Sequence, residues 1–337
     1  MSEPKTTMKA VVFHGPGKVS VEDRPIPQLQ TPKDIIVKVQ ATALCGSELH
    51  MYRGHEHATP GFVMGHEFTG TIVSAGADVK TLAIGDTVVA PFTVSCAACF
   101  YCRHGLSSRC EHSQLFGSPG LDGAQAEFVR VPFADGTAVK APAELVDNPR
   151  ALILMADIFP TGFYGAKNAF SGLRESGGNV DATEATVVVV GCGPVGLCAI
   201  VAALEYKPKH LFAVDSVKSR LELARGWARS HAVVEVVGLS PALRTAYELL
   251  RPFGVISCIG VHNAEIPWSG EDGYNKNLRI QMGRCPVRSV FLEALAVLVK
   301  NQHKFSFMFE KMMPLSDAVE GYDLFDKMKV QKVVFKP

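Results

Sequence analysis

The chain has 337 residues, 47% of them hydrophobic and 20% charged, with a formal net charge of +1. That length suits two domains, and the balance is that of an ordinary globular protein. A charge so near zero gives no hold on nucleic acid or an anionic membrane surface, so neither is expected as a partner. The first residues lack the apolar core of a secretory leader. Nine cysteines therefore read as thiols of a cytoplasmic protein rather than as a disulfide framework.

From residue 8 to about 150, short strand-like runs follow closely: Lys9 to Phe13, Asp34 to Ala41, Gly70 to Ala75, Thr87 to Ala90 and Glu127 to Val131. Gly, Pro and Asp punctuate them, as in an irregular β-rich lobe. Two groups of potential metal ligands lie here. Cys45 stands in C-G-S-E-L-H, and His66 and Glu67 stand in G-H-E-F-T-G. A thiolate and an imidazole need one further protein ligand to make an open, catalytic zinc site. Asp157, in M-A-D-I-F-P-T-G, is the candidate, and Glu67 is either a ligand or a support behind the ligands. The second group is Cys96, Cys99, Cys102 and Cys110. Two-residue gaps let three thiolates wrap one side of an ion, and a seven-residue gap brings the fourth back. Four sulfurs make a closed, structural zinc site.

Ala151 to Phe170 reads as helical, interrupted at Phe159-Pro160-Thr161-Gly162, and Ser171 to Thr186 reads as an exposed connection. From Val187 strands alternate with helices, with strands expected at 187–190, 211–215, 233–237, 254–259 and about 278–282. That alternation predicts a parallel sheet covered on both faces. The uncharged run Ala185 to Leu204 is long enough for a membrane helix, but its central glycines argue for a strand, a turn and a helix.

Gly191-x-Gly193-x-x-Gly196 follows the Val-rich strand and opens a helix, with Pro194 and Val195 inside the turn. Glycines in that setting let a pyrophosphate approach the backbone at a helix N-terminus. The next strand ends in Asp215, placed to bind ribose hydroxyls and to repel a 2′-phosphate, so NAD is favoured over NADP. Arg220 is a candidate for covering the adenine. Cys192, Cys198 and Cys258 read as small core residues, and His55, His57, His104 and His112 as solvated.

These motifs, in this order, resemble the medium-chain zinc-dependent alcohol dehydrogenases, and within them the formaldehyde-dehydrogenase-like and the threonine- or polyol-dehydrogenase-like members. The resemblance runs from about residue 8 to the end. It implies an α/β protein with a GroES-like catalytic domain (1–165 and 303–337) and a doubly wound Rossmann domain (166–302). It places Cys45, His66, Glu67 and Asp157 around a catalytic zinc, with Asp157 where some members have a cysteine. It puts Thr161 on the nicotinamide side of the cofactor. It also implies a dimer or tetramer of identical chains. The expected reaction moves a hydride between a small alcohol, or an aldehyde hydrate, and NAD. Zinc acts as Lewis acid on the substrate oxygen, Ser47 takes the hydroxyl proton, and His50 passes it on.

One departure stands out. Two mononucleotide halves require six strands in the order 3-2-1-4-5-6, and only five are legible. By resemblance, the run at 233–237 is the fourth, so the third strand and its helix are expected to be missing between about 229 and 233. The alternatives are a shortened variant with 233–237 as third strand, and a zinc protein with a damaged nucleotide domain and no catalysis.

Overall fold

The computed structural model describes residues 5–146, 148–175, 179–215 and 230–337. Arg220 lies outside them. The chain forms two compact units, Met1–Asp157 with Pro286–Pro337, and Ile158–Cys285. The sequence reading sets the joints at 165/166 and 302/303.

Among the described residues the strands are, in chain order, β1 (Thr7–Gly15), β2 (Lys18–Pro25), β3 (Ile35–Leu44), β4 (Glu67–Ala75), β5 (Thr87–Ala90), β6 (Phe128–Val131), β7 (Val139–Lys140), β8 (Thr186–Val190), β9 (His210–Val214), β10 (Ser230–Glu235), β11 (Leu250–Cys258), β12 (Arg279–Met282), β13 (Lys311–Pro314) and β14 (Val333–Lys336). In the first unit β1 and β2 form a hairpin, and a larger sheet runs β13-β14-β3-β4-β5-β7, with β6 also on β3. Its core is built on one face of the sheet, from apolar side chains that include Ile35, Val37, Phe68, Val88 and Val129, with Phe116 packed among them. A second cluster joins Phe13, Leu44 and Phe62 to Tyr322 and Phe335, so the C-terminal segment completes the lobe that the N-terminal segment begins.

The second unit is a parallel sheet in the order β12-β11-β10-β8-β9. Its central strands are Val-rich and buried, as strands covered on both faces must be. Alternation along β10 shows the two faces. Val233 packs with Leu243 and Ala246 of the helix Ser240–Leu249. Val234 meets Gly165 of the helix Ile158–Glu175. The strand at 230–235 pairs with β8 on one side and β11 on the other. The place beside β9 that a six-stranded pattern would fill holds no strand among the described residues.

Three local expectations are corrected. The helical break falls at Asp157 (φ −151°, ψ −70°), and a single helix runs through Pro160 and Gly162 to Glu175. Pro160 sits in the first turn, where no intrahelical N–H is needed. Gly172 lies inside that helix because a Cβ there would press on Val255, 2.8 Å away. The expected exposed connection at 171–186 is thus helical up to Glu175. Cys192 is half-buried at a turn rather than in the core, whereas Cys198 and Cys258 are buried. No helix among the described residues is long and apolar enough to cross a membrane.

Candidate metal centres and cofactor loop

Three distant pieces of chain meet at the first site. β3 and β4 pair antiparallel with Ala43 opposite Glu67, which sets Cys45, just past the end of β3, near His66, just before β4. Cys45 also starts the helix Gly46–Tyr52. Asp157 arrives from the break between a 3₁₀ turn and the long helix. One donor atom from each of Cys45, His66, Glu67 and Asp157 lies within 4.8 Å of the others, and all four residues are buried. Asp157 Oδ2 is 3.6 Å from Cys45 Sγ and 3.4 Å from His66 Nε2. Tetrahedral zinc with bonds of about 2.0–2.3 Å needs ligand atoms about 3.3–3.8 Å apart. The donor set fits zinc.

Electrostatics shape this cluster. Burial, then the charges of Glu67 and Asp157, push the Cys45 thiol above its usual pKa. Burial works against a charged His66, but the Glu48 carboxylate and hydrogen bonds to Asp157 and Cys45 hold the imidazole well above its usual value. Burial also raises Glu67, against the pull of Lys332. The Lys332 ammonium donates to Glu67 Oε1 at 2.9 Å, lies 2.8 Å from Oε2, and donates to the Leu44 carbonyl at 3.2 Å. Ser47 Oγ is 3.4 Å from His66 Nε2. His50 lies one turn further along the same helix, half-buried, and burial lowers its pKa.

Two charged residues here escape sequence reading. Glu48 was legible in principle: an acid at the third position of a helix reaches back to the first backbone N–H, and its Oε2 does accept from Cys45 N at 2.9 Å. Its other oxygen faces His66 Nδ1 at 3.5 Å. Lys332 gives no signal, because nothing in its strand marks it as the buried partner of Glu67.

At the second site Cys96, Cys99, Cys102 and Cys110 bring their sulfurs within 4.8 Å of one another, and none forms a disulfide. Backbone N–H groups point at the sulfurs: Cys96 to Cys110 at 3.2 Å, Cys99 to Cys96 at 3.3 Å and His112 to Cys110 at 3.4 Å. Hydrogen bonds, first from the Cys102 backbone, lower the Cys99 thiol to about 6, and burial raises Cys102 to about 12. His55, His57, His104 and His112 are exposed.

In the other unit, β8 leads into Gly191 at φ +99° and then the helix Pro194–Leu204, with Gly193 at its cap. A Cβ on Gly196 would overlap the Gly191 carbonyl, whereas one on Gly193 would meet nothing within 4 Å. The third glycine is needed for packing, and the second leaves open backbone. Pro194 and Val195 flank that opening, half-buried. Asp215 follows β9, and its Oδ2 accepts from Cys192 N at 3.0 Å. Thr161 is buried in the first turn of the long helix.

A β-rich lobe carrying two clusters of metal donors, joined to a parallel sheet with a glycine-rich first turn, defines a medium-chain dehydrogenase. Residues 31–143 match the family described as alcohol dehydrogenase GroES-like domain. Zinc-type alcohol dehydrogenase B of Aspergillus flavus is 59% identical over 98% of this chain and 81% of its own length. The glutathione-independent formaldehyde dehydrogenase of Pseudomonas aeruginosa is 38% identical over 98% of this chain and 97% of its own. The structure of the alcohol dehydrogenase TADH from Thermus sp. ATN1 superposes with a TM-score of 0.87 at 33% identity, covering 98% of this chain and 99% of that one. The chain belongs to the zinc-type medium-chain alcohol dehydrogenase family.

Proposed function

We propose that the protein is an NAD-linked, zinc-dependent oxidoreductase that exchanges a hydride between a small alcohol, or an aldehyde hydrate, and the nicotinamide. The observation that carries this reading is the convergence of a thiolate, an imidazole and carboxylates at zinc-ligand spacing. Cys45, His66 and Asp157 would hold the catalytic metal. Glu67, already paired with Lys332, would stand behind it. The four-cysteine cluster would hold a second, structural zinc. The catalytic zinc supplies Lewis acidity towards a substrate oxygen.

The chain's own groups do the rest. Ser47 is placed beside the metal-facing nitrogen of His66, where it can accept the substrate hydroxyl proton, and His50 can hand that proton outward. A depressed His50 pKa keeps its ring a ready acceptor. Gly191, Gly193, Pro194, Val195 and Gly196 would cradle the pyrophosphate, Asp215 the adenosine ribose, and Thr161 the nicotinamide side. An acid at 215 favours NAD over NADP. The intact donor set and the relatives do not favour the non-catalytic alternative. A cytoplasmic oligomer of identical chains remains part of this reading.

The test is reduction of NAD by purified protein over a panel of alcohols and formaldehyde. We expect turnover that falls at least about a hundredfold on chelation or in His66→Ala, since Lewis-acid assistance is worth several kcal/mol. Turnover that survives both would overturn the reading.

A further inference from the structure

Behind His66 runs a buried polar chain that the reaction scheme leaves unused. Glu48 faces His66 Nδ1 at 3.5 Å and accepts Cys45 N at 2.9 Å. The Gln125 amide nitrogen lies 3.3 Å and 3.4 Å from the two Glu48 oxygens. The Tyr322 hydroxyl donates to Gln125 Oε1 at 2.9 Å. Glu48, Gln125 and Tyr322 are each at most 1% exposed. Gln125 is held against the segment leading into His66: its N–H donates to the Met64 carbonyl at 2.8 Å. Gly65 (φ +103°) has no room for a Cβ, which would lie 2.5 Å from Gln125 N.

The direction of the chain matters. An amide presents a donor on one side and an acceptor on the other. With its oxygen held by Tyr322, Gln125 must turn its nitrogen towards Glu48. A carboxylate held by the Gln125 amide and the Cys45 N–H is fixed in place, and it can then fix an imidazole that donates from Nδ1. That leaves Nε2, the nitrogen beside Asp157 and Ser47, as the metal-facing atom. Groups that orient a ligating histidine typically change metal affinity by about 10–100-fold when removed.

We propose that Gln125 and Tyr322 are positioning residues for the metal centre. Tyr322 fixes the Gln125 amide, the amide fixes Glu48, and Glu48 fixes the ring of His66. The helix Ala318–Asp326, far along the chain, thereby sets how firmly the site holds its ion. This rests on the zinc reading of the Cys45 site.

The test compares wild type, Gln125→Met and Tyr322→Phe by zinc competition against a chelator, and by the visible spectrum after cobalt(II) replaces zinc. Tyr322→Phe removes one hydroxyl and keeps the ring, so it carries the test if Gln125→Met fails to fold. We expect folded Gln125→Met to release the Cys45-site zinc about tenfold more readily, Tyr322→Phe to show a smaller change of the same sign, and the cobalt bands to shift in both. The four-cysteine zinc should be unaffected. Folded variants with wild-type affinity and an unchanged cobalt spectrum overturn the proposal. A His66→Ala protein that binds as much zinc as wild type overturns the underlying zinc reading instead, and the proposal with it.

Discussion

Lys332 and Glu67 form a fully buried ion pair, 2.8 Å apart, whose titratable neighbours include Cys45 and Asp157 of the proposed metal site. Removing one partner of such a pair strands a charge in low dielectric and costs about 3–5 kcal/mol, whereas removing both is far milder. Lys332→Met is therefore expected to lose about that much stability in denaturant unfolding, and Lys332→Met with Glu67→Met to recover most of it. Equal losses in the single and double variants would show that Lys332 acts by packing alone. Asp34 makes a second case with a pH signature. It is buried, and burial alone would raise its pKa. The Thr31 hydroxyl at 2.6 Å, N–H groups of Gln30 and Thr31, and the Arg130 guanidinium at 3.0 Å instead hold it below the usual carboxylate value. A depressed folded pKa means stability present above the unfolded value and lost as pH falls through the folded one. Asp34→Asn should cost about 1–3 kcal/mol at neutral pH. Its deficit should begin to shrink below about pH 4, where the carboxyl of the unfolded chain takes up its proton, and go on shrinking until the folded carboxyl is protonated too. A deficit independent of pH would contradict this account.

On the proposed reading, the four-cysteine lobe is the element whose folding would depend most directly on metal. Its chain between Cys96 and Cys110 contains only four helical residues and one 3₁₀ turn. Ala97 sits at φ +58° to turn the chain around the sulfurs. Cys102→Ser should lower bound zinc from two per chain to one, by metal analysis, and open this lobe to proteolysis. His66→Ala should lower the zinc by one without exposing the lobe. Loss of both zincs in either variant would show that the clusters are not independent. The cysteines were readable because ligand spacing is itself the signal. The helix Ile158–Glu175 was misread because Pro160, Gly162 and Gly172 look like breakers. Gly162 is there because a Cβ would press on Ala199 N, 2.6 Å away in the neighbouring helix. Close helix packing, invisible in one sequence, selects the same residue as a turn does. Gln125 and Tyr322 were invisible for a related reason: each is an ordinary polar residue until the fold brings it to the next.

At the scale of the whole molecule, the parallel sheet poses the sharpest question. With β10 beside β8, its order follows the six-stranded pattern with no strand at the third position among the described residues. The alignment to the A. flavus relative spans 353 columns while using 98% of these 337 residues, so roughly 23 of that relative's positions face no residue here. The sequence alone leads us to expect a strand and a helix to be missing between about 229 and 233, and about 23 positions would be enough to hold them. The glycine turn and Asp215 lie on β8, β9 and their connections, before the expected gap, with the turn open at Gly193 and Asp215 Oδ2 accepting from Cys192 N. Cofactor binding should therefore survive the shortening. A ligand at 100 times its dissociation constant stabilises a native state by about 2.7 kcal/mol, worth about 5–11 °C in melting temperature for a domain of 150–250 residues, where each kcal/mol shifts it by about 2–4 °C. NAD at saturation should raise the melting temperature by that order, NADP by less, and Asp215→Ala should erase the difference between them. A melting curve indifferent to NAD would mean that the strand and helix expected to be missing are needed to hold the adenosine half of the cofactor.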